Sequence, residues 1–397
     1  MAVQDDAARP PHEHSWLIYD PRVRGIAFQA LLAVGLVLFL GWIAANTIEN
    51  LQRAHIASGF GFLWARAGFD ISQTLIPYNT EMSYGRAFLV GLLNTVLVAA
   101  LGIVFASIIG FMLGIARLSK NWLIAQIATV YIETLRNIPV LLQLLFWYKA
   151  VLSVLPSPRQ GFNLPFGTTL SNRGLIVPRP IFHEGFSATF IAVAVAIAAI
   201  GVLARWAHRR QTATGQIFPT VKVSLAILVL LPVIVFVATG MPASFEIPQL
   251  QGFNYVGGTQ IKPEFMALLL GLTLYTATYI GEIVRAGILA VAHGQTEASY
   301  ALGLRPGTAL RLVIIPQALR VIIPPLTSQY LNLTKNSSLA VAVGYPDLVS
   351  VFSGTVLNQT GQAVEVIVIT MLVYLAISLA TSGFMNWFNQ RVALVER

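Results

Sequence analysis

The residues of this chain that could perform chemistry do not form a recognisable catalytic set. The 397-residue sequence has no cysteine, and its six histidines are scattered over segments that we interpret as loops. None of its five lysines follows a glycine, so the Gly-Lys-Ser/Thr element of a P-loop is absent. His-Glu-x-x-His and Gly-x-Ser-x-Gly motifs are absent as well. The sequence therefore excludes thiol chemistry and Walker-type ATP binding by this chain, and it favours a protein that is not itself an enzyme.

Two pairs of opposite charges flank apolar segments. Glu133 and Arg136 are three residues apart, as are Glu282 and Arg285, so each pair can share one face of a helix. A single charge at the centre of a bilayer costs about 2.5–3.5 kcal/mol on insertion scales, which makes pairing valuable there. The pairs could form a hinge or gate near the cytoplasmic half of a cavity. The simpler interpretation is that they are self-neutralised pairs that let a helix enter the membrane.

Composition places most of the chain in a bilayer. Hydrophobic residues make up 56% of the sequence and charged residues only 10%, whereas soluble domains carry about 25% charged residues. A helical span needs about 20 consecutive, mostly apolar residues. The sequence predicts an all-α integral membrane protein with about eight transmembrane helices, the seventh of which is polar and broken by Pro324 and Pro325. The predicted spans are 26–45, 87–115, 138–155, 186–204, 223–239, 265–292, 321–344 and 363–384.

The basic residues predict the orientation of these spans. The formal net charge of +9 indicates cytoplasmic membrane loops rather than a nucleic-acid partner. With the N-terminus in the cytoplasm, 14 of the 25 lysines and arginines fall on cytoplasmic segments, 7 on outer segments and 4 within or beside spans. The first apolar run is too long for a typical signal peptide, so it is interpreted as an uncleaved anchor. Both termini are therefore expected in the cytoplasm.

A segment between the sixth and seventh spans combines helix formers with strong turn signals. Helix formers fill much of 297–302, Gly303 permits a left-handed stop, and Pro306-Gly307 predicts a turn. A second short helix is expected from about Thr308. The segment is thus predicted to be a helical elbow on the cytoplasmic surface, although an ordinary amphipathic interfacial loop would show the same local pattern.

The elbow and its flanks resemble the EAA loop of bacterial ABC importer membrane subunits. The matching residues are Glu297-Ala298-Ser299, Gly303 and Val313-Ile314-Ile315-Pro316, with Ser299 in place of alanine on what is expected to be a surface helix. Further motifs in the same order are similar to the polar amino acid permease family of the histidine/glutamine/arginine type, and the replacement of Gly-Thr by Asn137-Ile138 resembles the Q-type permease of general L-amino acid uptake systems. These motifs are Glu282-x-x-Arg285-x-Gly287, Gly294-Gln295-x-Glu297-Ala298, Ala301-Leu302-Gly303, Pro316-Gln317-Ala318-Leu319-Arg320, Lys335-Asn336-Ser337-Ser338-Leu339 and Glu133-x-x-Arg136-Asn137-Ile138-Pro139.

The resemblance implies a division of the chain and a set of partners. Residues 1–85 would hold the cytoplasmic N-terminus, the first helix and an outer segment. Residues 86–390 would form the importer transmembrane domain, with an insertion near 156–257 that adds two spans and a coupling loop at 293–320, and residues 391–397 would be a cytoplasmic tail. In the inner membrane of a bacterium, the chain would work with two ATPase subunits, a second permease chain and a periplasmic amino acid binding protein. It would bind no cofactor, because ATP and magnesium would belong to the ATPase subunits.

The resemblance also implies roles for individual residues. The residues expected to couple the chain to the ATPase are Gln295, Glu297, Ala298, Ala301, Leu302, Gly303, Arg305 and Pro316. The candidates for a gate or for a path that carries L-amino acids are Glu133, Arg136, Gln143, Glu282, Arg285, Gln329, Lys335, Asn336 and Ser337. For most of these polar residues, hydrogen bonding between helices is the simpler interpretation. Two alternatives remain: a proton-coupled transporter that uses Glu133, Glu282 and Glu365, and a purely structural membrane subunit.

Overall fold

A computed structural model describes residues 21–53 and 58–392. Seven helices in this part of the chain are long and apolar enough to cross a membrane, which confirms a mostly helical membrane protein. The cytoplasmic N-terminus and the end of the tail, as predicted from the sequence, lie outside the described residues. The helices are α1 (Pro21–Arg53), α2 (Tyr84–Arg117), α3 (Trp122–Asn137), α4 (Val140–Leu145), α5 (Phe186–Thr214), α6 (Thr220–Ala238), α7 (Pro263–Leu289), α8 (His293–Ala301), α9 (Pro306–Ala309), α10 (Ile315–Asn336), α11 (Leu357–Thr360) and α12 (Ala363–Val392).

The third predicted span, 138–155, is shorter in the structure and has a helical partner upstream. Only Val140–Leu152 is helical there, as α4 and a π-helical turn, and this is too short to cross a bilayer alone. The amphipathic helix α3 precedes it, and Ile138 between them is extended because it stands before Pro139. Both helices pack along α7: the Tyr131 hydroxyl donates to Leu274 O and the Tyr148 hydroxyl to Glu264. Together, α3 and α4 therefore run antiparallel to α7 as one broken span.

The seventh span begins earlier than predicted and is not broken. Helical structure runs from Pro306 to Val343 through α9, a π-helical turn, α10 and a 3-10 turn, and it ends where Gly344 adopts a positive φ of 77°. The expected second short helix near Thr308 is the start of this long helix. Pro324 and Pro325 lie inside α10 without interrupting it; prolines are tolerated in membrane helices where neighbouring helices, side chains and local adjustments satisfy the backbone groups that they free.

The centre of the bundle is a close crossing of α2 and α7. An added Cβ at Gly110 would lie 2.6 Å from the Ile280 side chain, and one at Gly114 would lie 2.6 Å from Gly281 O. Glycine allows two helix backbones to approach this closely, which raises the number of dispersion contacts in a lipid environment. Gly110 and Gly114 therefore serve close helix packing. The buried core extends from this seam to α10, through Ile322 and Ile323.

Helices α5 and α6 form a hairpin that packs mainly on itself. The Phe186 and Phe236 rings meet edge to face at 6.3 Å, and α1 is exposed along most of its length. Helices that are apolar all round suit contact with lipid. Among the residues that the structure describes, these three helices contribute none to the buried core at the central crossing.

Short strands form a layer at one end of the bundle, which the all-α prediction did not include. Three- and four-residue strands make an antiparallel sheet of order β1-β2-β3-β8 and two ribbons, β4-β5 and β6-β7. Runs of this length between glycines and prolines carry too little periodicity to be recognised in a sequence. The strands are β1 (Phe162–Leu164), β2 (Thr168–Ser171), β3 (Gly174–Val177), β4 (Arg179–Phe182), β5 (Ala243–Glu246), β6 (Gln249–Gln251), β7 (Asn254–Val256) and β8 (Thr259–Ile261).

Candidate coupling surface and transport path

Helix α8 and the turn through Arg305 form a compact protrusion at the end of the bundle opposite the strand layer; we call it the elbow. Helix α8 ends in a Schellman motif, in which the Leu304 N–H donates to Ser299 O at 3.1 Å and the Gly303 N–H donates to Tyr300 O at 2.9 Å. Gly303 has a φ of 75°, a conformation that glycine adopts without strain. Extended Arg305 then leads into α9, whose first residue is Pro306. The predicted left-handed stop at Gly303 is thus present.

The elbow exposes nearly all of the residues singled out as coupling candidates. Leu302 is 82% exposed at the tip, and Tyr300 beside it is also exposed. Pro316 is half-buried where α10 begins. The remaining candidates are all exposed: Gln295, Glu297, Ala298, Ala301, Gly303 and Arg305.

Ser299 does not lie on the exposed face of α8, contrary to the expectation from the sequence. Its side chain is buried, and its hydroxyl donates to Gln295 O at 2.6 Å. Serine fits here because the preceding turn of the helix satisfies its hydroxyl. The replacement of the motif's alanine by Ser299 therefore affects the seating of the elbow and not its outer surface.

The elbow is fixed to the bundle at both of its ends. Three residues connect it to α7, and on the other side the Gln317 amide of α10 donates to Gln295 Oε1 at 3.3 Å. On its outer face, His293 Nδ1 and Glu297 Oε1 lie 3.0 Å apart, and both side chains are largely exposed. Movement of the elbow would therefore be felt first by α7 and α10.

Four side chains form an ion cluster beside the elbow end of α7. Arg117, the last residue of α2, contacts Glu133 Oε1 of α3 at 3.0 Å and also Glu282 Oε2 of α7. Arg285 holds Glu282 from the other side, with its terminal nitrogen 2.6 Å from Oε1. The cluster thus joins three helices and contains two positive and two negative groups.

One of the two expected pairs is absent from this cluster. Glu282 and Arg285 do pair, but Glu133 pairs with Arg117 instead of Arg136. The Arg136 guanidinium lies over the Tyr279 ring, 5.0 Å from its centroid, a cation–π arrangement. Spacing along one helix predicted the wrong partner for Glu133, because the fold brings Arg117 of another helix into contact with it.

The polar residues of α10 differ in how far they are exposed. Asn332 and Lys335 are exposed, whereas Gln329 and Asn336 are half-buried. Lys335 has no acidic partner within 4.0 Å among the described residues. It lines a cavity of about 430 Å³, the other walls of which are Ser338, Val349, Met371, Tyr374, Leu375 and Ser378.

Two of the path candidates face away from any open space. Ser337 is fully buried, and its hydroxyl donates to Thr334 O at 2.7 Å. The Gln143 amide donates to Leu135 O at 2.7 Å and to Ile138 O at 2.9 Å. These two carbonyls precede Pro139, where the helix breaks, so Gln143 supplies donors to backbone groups that have lost their helical partners. Both side chains are buried in this conformation, and their role in a path stays a prediction.

A second group of polar residues, which we call the loop clamp, fixes the strand end of the bundle. Asn94 of α2 donates to Gln73 O and to Pro346 O, both at 2.9 Å. The Leu348 N–H donates to Thr95 Oγ1 at 2.9 Å. Asp347 is fully buried and accepts from the Ser350 N–H at 2.8 Å and from the Tyr374 hydroxyl at 3.2 Å.

The glutamates of the proton-driven alternative are all engaged in the structure. Glu133 and Glu282 hold arginines in the ion cluster. Glu365, which is largely buried, accepts from the Gly59 N–H. All three carboxylates already have a partner in this conformation, so this geometry offers no support for proton carriers.

Comparison with known proteins shows the family of the chain. Residues 215–394 match the family described as "Binding-protein-dependent transport system inner membrane component". The chain is 56% identical to the general L-amino acid transport system permease protein AapQ of Rhizobium johnstonii, over 98% of both chains. It is 53% identical to the putative amino-acid ABC transporter permease protein YhdX of Escherichia coli, over 95% of this chain and 96% of that one.

A third relative has a more restricted name. The glutamate/glutamine/aspartate/asparagine transport system permease protein BztB of Rhodobacter capsulatus is 43% identical over the full length of both chains. Proteins of this family bind no cofactor and rely on a partner ATPase. The chain therefore belongs to the polar amino acid permeases: it is the multi-pass inner-membrane subunit of a binding-protein-dependent ABC importer of amino acids.

Proposed function

We propose that the elbow docks this permease onto a partner ATPase and carries ATP-driven motion into the helix bundle. The observation that carries the proposal is the exposed, apolar tip of a short helix whose end is fixed by a Schellman motif. Short helices commonly dock by inserting apolar side chains into a groove of the partner. Because Gly303 and Arg305 set the turn rigidly, a displacement of the elbow would reach α7 and α10 as a rigid-body shift.

The assembly that we propose has two ATPase subunits, a second permease chain of the same or a similar type, and a periplasmic binding protein. Both termini would lie in the cytoplasm, with the elbow on that side and the strand layer on the other. Support comes from the distribution of basic residues, since the connection after α2, at 117–120, and the C-terminal part of α5, at 205–210, are rich in arginine and lysine. In this arrangement residues 86–390 are the transport domain, the insertion 156–257 supplies the α5–α6 hairpin and most of the strand layer, and 293–320 is the coupling loop.

The proposed substrates are L-amino acids, in keeping with the names of the relatives. A path along α10 would run past Lys335, which is exposed, and past Gln329 and Asn336, which are half-buried. The Lys335 ammonium group suits the α-carboxylate of an amino acid, because a charge at this depth is stabilised by an opposite charge. At the elbow end, the ion cluster together with Arg136 would act as the gate.

The coupling proposal is tested by substituting the elbow in the complete transporter, reconstituted in vesicles. We expect Glu297→Gln and Gly303→Val to retain ATP hydrolysis and to reduce uptake about tenfold, which corresponds to a coupling free energy of about 1.4 kcal/mol. Glu81→Gln is the control for the carboxylate, since Glu81 is exposed and paired with Arg66 far from the elbow. Gly307→Ala is the control for the turn, since Gly307 is exposed, has no neighbour within 4 Å of an added Cβ, and needs no positive φ. Normal uptake by both elbow variants would overturn the proposal.

A further inference from the structure

Arg117 occupies an unusual position for a residue at the end of a transmembrane helix. Its side chain is only 19% exposed, although it is the last residue of α2. One terminal nitrogen of the guanidinium contacts Glu133 on α3, and the other contacts Glu282 on α7. A single side chain thus holds carboxylates on two other helices, 16 and 165 residues away in the sequence.

The backbone places Arg117 where it can reach both carboxylates. Gly114 of α2 lies against Gly281 and Val284 of α7. Arg117 follows Gly114 by one turn of helix, and Glu282 directly follows Gly281, so the closest approach of the two backbones brings the guanidinium beside the carboxylate. Any movement that separates α2 from α7 at this end must break the contact between Arg117 and Glu282.

Helix α7 is also the element that carries the elbow. It ends at Leu289, and α8 begins at His293. Glu282 is therefore about two helical turns from the end of α7, on the segment that would respond first to a movement of the elbow. Arg285 of α7 pairs with the same carboxylate. This contact fixes the orientation of the Glu282 side chain that Arg117 binds.

We propose that Arg117 is a positioning residue for transport, which transmits the movement of the elbow from α7 to α2 and α3 by holding Glu282 and Glu133 at once. The proposal rests on the coupling role proposed above for the elbow. Arginine is suited to this task because its planar guanidinium presents donors on separate edges, whereas lysine presents one compact charge. Lysine at position 117 would keep the charge but could not grip both carboxylates in the same way.

The test uses the complete transporter in vesicles that contain ATP and the loaded binding protein. Uptake and ATP hydrolysis are measured in the same preparation for the wild-type protein and for Arg117→Gln, Arg117→Lys and Arg209→Gln. Arg209 is the matched control: it is exposed near the end of α5, and the structure records no side-chain ion pair for it. We expect Arg117→Gln to hydrolyse ATP within about twofold of the wild-type rate while uptake falls about tenfold, with Arg117→Lys intermediate.

A second measurement separates transmission of movement from a merely structural role. The chain has no cysteine, so a pair of spin labels can be attached through Leu118→Cys and Thr296→Cys. In the otherwise unchanged protein, we expect the distance between the labels to stay constant when a non-hydrolysable ATP analogue is added, since α2 follows the elbow. In Arg117→Gln it should change, and if that variant does not accumulate, Arg117→Lys is used in its place.

The outcomes distinguish this proposal from the coupling proposal on which it rests. The role of Arg117 alone would be overturned if the elbow variants were impaired while Arg117→Gln consumed as much ATP for each substrate molecule taken up as the wild type does. An unchanged distance between the labels in Arg117→Gln, again with impaired elbow variants, would have the same consequence. Elbow variants that transport normally would overturn the coupling proposal, whatever the Arg117 variants do.

Discussion

The two ends of the helix bundle are held together by different kinds of interaction. At the strand end, the loop clamp consists of buried hydrogen bonds, with Asn94, Thr95 and Asp347 at its centre. At the elbow end, the ion cluster consists of charges that water partly reaches: Glu133 is 53% exposed, and Glu282 is 25% exposed. The same helices, α2 and α7, run between both ends.

This difference indicates which end can rearrange. A buried hydrogen bond is costly to leave unmade, at about 1–3 kcal/mol for each orphaned group. A solvent-exposed ion pair contributes about 0–1 kcal/mol, since water replaces the partner; within the cluster this applies to Glu133, whereas Arg117 is only 19% exposed. The strand end should therefore remain one packed unit, while the elbow end can shift with the elbow at lower cost and keep the contact between Arg117 and Glu282.

The largest effect is expected from Asn94→Ala at the strand end. The substitution removes the donors for Gln73 O and Pro346 O, and each buried acceptor left without a donor costs about 1–3 kcal/mol. We expect a clear fall in the thermal unfolding midpoint of the purified protein. Asn332→Ala is the control, because Asn332 is exposed on the same bundle. Equal midpoints for the two variants would contradict the idea that buried hydrogen bonds fix this end.

A smaller effect is expected from Gly114→Ala at the crossing just before the ion cluster. The new Cβ would lie 2.6 Å from Gly281 O and 2.7 Å from Val284 Cβ, and overpacking of this kind costs about 1–3 kcal/mol. It should also push Arg117 away from Glu282, so uptake should fall further than stability alone explains. The control is Gly383→Ala in α12, where an added Cβ meets nothing within 4 Å; there, alanine should be neutral or stabilising. A Gly114→Ala protein as stable as the Gly383→Ala protein would show that the crossing can relax.

Local sequence patterns predicted much of this fold and of the elbow. Runs of apolar residues predicted the long helices, because a bilayer demands about 20 of them wherever a helix crosses. Gly303 predicted the end of α8, since a left-handed residue after a helix is encoded within a few positions. The predicted bounds of the span at 138–155 were wrong. Because the helix breaks at Pro139, the sequence presents α3 and α4 as separate elements.

Interactions between distant segments could not be predicted in the same way. The partner of Glu133 is Arg117, and Glu282 meets Arg117 across 165 residues of sequence; a spacing rule along one helix does not see such contacts. Asp347 belongs to none of the sequence motifs. Its burial depends on the packing of the loop after Gly344 against α2, which the sequence does not reveal. The burial of Gln143 and Ser337 likewise follows from packing, since their polar character alone was compatible with a path.

The smallest effect, and the most direct test of the difference between the two ends, is the response to salt. The Debye length shortens from about 10 Å at 0.1 M to about 3 Å at 1 M ionic strength, so partly exposed charges lose their mutual attraction while buried hydrogen bonds do not. Glu282→Gln removes the central charge of the cluster, and we expect it to change the free energy of unfolding at low salt by less than Asn94→Ala does. The difference between the wild type and Glu282→Gln should shrink as KCl is raised to 1 M, whereas the difference between the wild type and Asn94→Ala should stay constant. If both differences respond equally, the ion cluster is as firmly held as the loop clamp, and the elbow end has no advantage as the site of rearrangement.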